Sequence, residues 1–178
     1  MNEKIHVDSN TKSKHELIDE YIQLYDDYLK QLPIKKVQME YLSGVNRFNR
    51  SDARYLSQFN HEISIGDVCY IDFGQAYTYE AGFQHFGVIM NIIGNKVFVV
   101  PMTSNPITYK KADPNNDYPI PQLFQLTNVE GLYKASVCFL HDAKFINKAR
   151  IISVNAHIDP QTMLFKQLKK RMIATISQ

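Results

Sequence analysis

The chain of 178 residues has no tryptophan, only two cysteines, no excess of one charge and no long apolar run. Cys69 and Cys138 each sit among apolar neighbours, which implies no disulfide framework and suits small buried side chains. The six histidines, His6, His15, His61, His85, His141 and His157, show no metal-ligand spacing, so neither a metal nor a cofactor is expected. Met1 to Lys14 is polar and lacks the apolar centre of a signal peptide, and no segment reaches membrane-spanning length. The expectation is a cytoplasmic protein without a membrane partner. A net charge of +2 carries no nucleic-acid signature for the whole chain, and the clearest basic cluster, Lys166, Lys169, Lys170 and Arg171, reads first as a solvated helix face, which is what charge runs usually mean.

What is present is enough apolar surface for a core, with 44% hydrophobic and 12% aromatic residues. From His15 to Leu32, apolar residues including Leu17, Tyr21, Leu24 and Tyr28 recur at spacings of three and four, predicting an amphipathic helix that packs this face. Ser13 and Glu16 are placed to cap it. Pro33 ends it, a second helix is predicted from Lys35 to about Leu42, and a third from Arg47 to Phe59. Nothing in residues 1–60 looks catalytic.

Beyond residue 60 the pattern changes to short strands. Ile65-Gly66-Asp67 reads as a turn, followed by strands at Val68–Phe73, Phe86–Ile92 and Lys96–Met102, with Gly94-Asn95 as a tight hairpin. Phe124–Leu126, Lys134–Leu140 and Arg150–Val154 are further strand candidates. The prolines between Asn105 and Leu126 exclude a long helix there. Asp159-Pro160 begins a C-terminal helix that runs to about Ile176. The sum is an α+β protein: a helical extension over 1–60, then over 61–178 a small SH3-like antiparallel β-barrel closed by a helix.

Three features of the second part belong together: Gly66-Asp67 with Ile71-Asp72-Phe73, a loop containing Glu80 and Gly82, and a strand ending in Thr103-Ser104. Downstream, Ser136-Val137-Cys138-Phe139-Leu140 leads into Lys144-Phe145-Ile146-Asn147-Lys148-Ala149-Arg150-Ile151. In this order the segments resemble the PemK/MazF family of toxin endoribonucleases over roughly residues 62–178. The resemblance implies a toxin-antitoxin hydrolase that cleaves single-stranded mRNA without metal by attack of the ribose 2′-hydroxyl. It also implies a homodimer restrained by a cognate antitoxin protein.

Such cleavage needs a proton acceptor, donors for the phosphorane oxygens and an acid for the leaving 5′-oxygen. Thr103 and Ser104 match the family's hydroxyl positions. The family's arginine is missing, and its place falls on Gln84 or His85. Only the histidine exchanges protons near neutrality, so His85 is the first candidate, with an ordinary strand-entry histidine as the other reading. His141, where the family has an acidic residue, pairs with it if their strands are neighbours.

Catalysis is therefore assigned to His85, Thr103 and His141. Tyr77 and Tyr79 are candidates for stacking on unpaired bases, with Glu80, Gln84, Ser104, Asp142 and Lys144 as further RNA contacts. The competing reading is a barrel without catalysis that binds RNA or a protein partner, for which the absent arginine speaks.

Overall fold

The computed structural model describes residues 11–51 and 62–177. The chain divides into two compact units, residues 1–39 and 40–178. In the first, helix α1 (Lys14–Lys30) starts as its sequence dictates: the Ser13 side chain accepts from the Glu16 N–H, and Glu16 accepts from the Ser13 N–H at 2.7 Å. No residue of α1 is buried. Leu17, Tyr25 and Leu29 are half-buried, whereas Tyr21, Leu24 and Tyr28, expected to pack, are exposed. The periodicity fixed the helix and left its covering open.

Helix α2 (Ile34–Arg50) begins after Pro33, whose carbonyl accepts from Lys36 and Val37. It does not stop before Ser43-Gly44 but continues through them. A Cβ on Gly44 would meet nothing within 4 Å, and one glycine costs a helix interior only about 1 kcal/mol. Arg47 to Arg50 thus end α2 instead of starting a third helix; the rest of that expected helix, including Tyr55, Leu56 and Phe59, lies outside the described residues.

Among the described residues seven antiparallel strands make up the sheet: β1 (Asp67–Asp72), β2 (Gln84–Ile93), β3 (Lys96–Thr103), β4 (Leu123–Leu126), β5 (Ser136–Phe139), β6 (Lys144–Asn147) and β7 (Ile151–His157). Their order is β4-β5-β3-β2-β1-β7, with β6 also paired to β3. Among the described residues the hydrogen-bonded path ends at β4 and β7 and is not closed on itself. β5 and β6 lie on the same side of β3, at Met102–Thr103 and at Lys96–Val99, separated by a 3-10 turn over Leu140–Asp142. That interruption explains why β6 was not legible as a strand.

Alternation along the strands divides the core between two faces. Val68, Val88, Val100, Met102 and Cys138 share one face with Phe165, Leu168 and Met172 of the C-terminal helix α4 (Met163–Ile176), and Cys69, Ile71, Ile89, Val97, Val99 and Ile151 form the other. Helix α4 starts later than Asp159-Pro160 because Thr162 takes the cap, its hydroxyl oxygen accepting from the Phe165 N–H.

A short helix, α3 (Pro106–Lys111), occupies the start of the stretch whose prolines exclude a long one. Asn105 caps it and proline stands at its first turn.

The Gly66-Asp67 turn is fixed by close approach. A Cβ on Gly66, at φ +97°, would lie 2.1 Å from the Ile158 carbonyl oxygen. Asp67 accepts from the Ser64 N–H at 2.7 Å and lies 2.7 Å from His157 Nδ1. One carboxylate thereby joins the start of β1 to the end of β7.

Candidate active site

Strand β1 ends at Asp72, beside Gln84 at the entry of β2, and the next pair inward is Ile71 with His85. Between β2 and β3 the outermost pair is Phe86 with Met102. His85 and Thr103 each lie one residue beyond that pair, on strands adjacent in the sheet, His85 paired with Ile71 of β1 and Thr103 with Val137 of β5. Both are half-buried. The Thr103 hydroxyl oxygen accepts from the Asn105 N–H at 3.2 Å, leaving its own hydrogen to donate. Ser104 follows in the exposed segment before α3.

His141 lies elsewhere. It is exposed in the 3-10 turn after β5, its ring edge-on to Phe139. Because β3 lies between β2 and β5, the strands leading to His85 and His141 are not neighbours. The Gln84 Nε2 atom is buried and has no hydrogen-bond partner among the described residues.

The loop over residues 74–83 connects β1 to β2. Its base is closed by two backbone bonds, Phe73 N–H to the Phe83 carbonyl at 2.7 Å and Phe83 N–H to the Gly74 carbonyl at 2.6 Å. Its arms touch so closely that a Cβ on Gly82 would lie 2.5 Å from that of Ala76. Tyr77 and Tyr79 are 87% and 95% exposed at its tip, which leaves their ring faces open to a partner. Glu80 does not project freely: its carboxylate accepts from the Tyr77 N–H, and its own N–H donates to the Tyr77 carbonyl.

Two residues expected to contact RNA are engaged with this loop. Asp142 accepts from the Ala81 N–H at 3.0 Å, tying the far arm to the 3-10 turn. The Lys144 ammonium stands 5.9 Å from the centre of the Phe73 ring, within cation–π range.

The residues that sequence reasoning missed are on α2. Asp72, 4% exposed, accepts from the Ser43 hydroxyl at 2.8 Å and the Gly74 N–H at 2.9 Å on one oxygen, and from the Asn46 amide at 2.9 Å on the other. Glu40 accepts from the Gln75 amide at 2.6 Å. Arg150 donates to the Asp72 carbonyl at 3.2 Å, beside a Gly74 whose Cβ would lie 2.8 Å from the same guanidinium nitrogen. Glu40, Ser43 and Asn46 recur every third residue, a helix-face signal hidden by the assumption that the helix stops at Leu42.

Both cysteines are free and buried. Burial, with a smaller contribution from the charge of Asp67, pushes the Cys69 thiol up to about 12, and burial pushes the Cys138 thiol up as well. Neither can serve as a thiolate nucleophile near neutrality. Among the described residues no three His, Cys, Asp or Glu side chains are grouped to hold a metal ion, and no helix is long and apolar enough to cross a membrane.

No family model matches the sequence, and no curated protein is similar to it in sequence. In structure the chain has a MazF-like fold. It resembles MazF from Deinococcus radiodurans with a TM-score of 0.51 at 10% identity, over 67% of this chain and 100% of that one. Two further likenesses have a TM-score of 0.46 at 10% identity, each over 67% of this chain. One is an endoribonuclease from a Mycobacterial species, covered to 95%, and the other is the Deinococcus radiodurans MazE-MazF structure, covered to 99%.

Proposed function

We propose that this chain is a toxin-type endoribonuclease that cleaves single-stranded RNA without a metal ion. The observation that carries the reading is that His85 and Thr103 stand at the same end of adjacent strands, one residue beyond the Phe86–Met102 pair, beside an anchored loop that exposes two tyrosines, within a MazF-like fold. In this reading residues 61–178 form the nuclease domain, a curved SH3-like barrel, and residues 1–60 are its extension. The protein acts in the cytoplasm on mRNA as a homodimer and is restrained by a cognate antitoxin.

The proposed chemistry follows the geometry. His85 removes the proton from the ribose 2′-hydroxyl, and the 2′-oxygen attacks phosphorus. Thr103 donates to a phosphorane oxygen, a contact that strengthens as charge develops there. In-line displacement needs base and acid on opposite sides of the phosphate. His141, in the 3-10 turn after β5, is assigned the role of the acid that protonates the departing 5′-oxygen. The products are a 2′,3′-cyclic phosphate and a 5′-hydroxyl. Tyr77 and Tyr79 stack on unpaired bases, while Gln84 and Ser104 line the path of the strand.

The test is cleavage of single-stranded RNA in EDTA, with 2′,3′-cyclic phosphate ends and a bell-shaped pH profile. His85→Ala is expected to lower the rate by about 10²-fold or more, the scale of losing a general acid or base, while folding is retained. A requirement for added magnesium, or a flat profile across about pH 5 to 8 where imidazole titrates, defeats the mechanism. If the unmutated protein neither cuts RNA nor arrests growth, the second reading takes its place: a barrel binding RNA or a protein partner without cutting. The position of the family's arginine, filled here by Gln84 or His85, is the observation that favours it.

A further inference from the structure

Helix α2 presents three polar side chains at three-residue intervals, Glu40, Ser43 and Asn46, toward the point where β1 becomes the 74–83 loop. Glu40 and Ser43 are only 3% and 6% exposed. Buried polar groups on a helix face are costly unless they are partnered, and here the partners are Asp72 and Gln75. Asp72 is the junction, since the oxygen that accepts from Ser43 also accepts from the first amide of the loop.

The loop needs such support. Tyr79 and Phe83 hold left-handed backbone angles, φ +74° and +56°. Non-glycine residues adopt these only where the surroundings impose them.

We propose that Ser43 and Asn46 are positioning residues of the candidate active site: acting through Asp72, they fix the loop that carries Tyr77 and Tyr79. The sheet keeps His85 and Thr103 in place without them, so the polar stripe governs how RNA is gripped and not how its phosphate reacts. The consequence for RNA rests on the nuclease reading. The effect on the loop does not.

The experiment compares the full-length protein with Ser43→Ala/Asn46→Ala by amide hydrogen exchange and by RNA cleavage. Loss of hydrogen bonds to a carboxylate is expected to speed exchange over residues 74–83 by about tenfold or more, while the amides of the β2–β3 hairpin keep their rates. KM rises by a similar factor and kcat stays within about twofold, as for a lost binding contact. Ser43→Thr, which retains the hydroxyl, restores loop protection. Unchanged exchange over 74–83, or acceleration spread evenly over the sheet, overturns the proposal. If the double variant does not fold, Gln75→Ala and Asn46→Ala are read singly by the same criteria. If the protein cleaves no RNA, loop exchange alone decides, so the clamp and the nuclease activity fail separately.

Discussion

Two connections in the same run of strands are made in opposite ways. Between β2 and β3 the chain reverses over Gly94-Asn95, with glycine at φ +55° leading the turn and nothing within 4 Å of where its Cβ would be. Between β1 and β2 it takes residues 74–83, held by Asp72 and Glu40 at one end and by Asp142 at the other. The short turn is determined by its own two residues. The long loop is determined by side chains tens of positions away, and it is the one that carries candidate binding groups.

Variants at each connection can break this contrast. The largest expected effect here belongs to the far anchor of the loop: Asp142→Ala leaves the Ala81 amide without its carboxylate and is expected to lower kcat/KM for RNA by about tenfold, the scale of a charge-assisted hydrogen bond. The melting temperature should hardly change, because the core is untouched. An equal loss of stability and activity would show that Asp142 supports the sheet instead.

Gly94→Ala should do the reverse. Placing a Cβ in the left-handed region costs about 1 kcal/mol in urea unfolding, and cleavage should be unchanged. A loss of activity at this turn would erase the distinction between the two connections.

Ser13→Ala tests a second locally determined element and carries the smallest effect. Hydrogen bonds from Ser13 hold the Glu16 carboxyl below its ordinary value. A folded value below the unfolded one means that the cap contributes above the unfolded value and is lost as pH falls through the depressed one. Helical circular dichroism should therefore show a small acid-dependent loss in the wild type that Ser13→Ala reduces without abolishing, because alanine keeps the backbone N–H from which the Glu16 carboxylate accepts. The loop of the sheet should not respond.

The same division explains what the sequence disclosed. The capping box of α1, the strands β1 to β3, the hairpin turn and the C-terminal helix each follow from neighbouring residues, as does the burial of Cys69 and Cys138. The place of Thr103 at the end of β3 was legible as well, because a strand ending in hydroxyl residues is a local pattern. Hidden were Ser43 and Asn46, whose partner Asp72 lies 29 and 26 positions away, and β6, which completes a line along β3 only after the 3-10 turn. The separation of His85 from His141 was hidden too: strand order is a property of the assembled sheet, and no periodicity encodes which strand lies between two others.

One feature of the sheet bears on how it is made. β1 pairs with its sequence neighbour β2 on one side and with the last strand, β7, on the other, and Asp67 meets His157 across 90 positions. Contacts of such separation form slowly, because the intervening chain must be closed before they contribute. The hairpin of β2 and β3 is expected to assemble early, but β1 stays unpaired along one side until residues 151–157 arrive. During synthesis, this half-made strand is exposed until β7 has emerged.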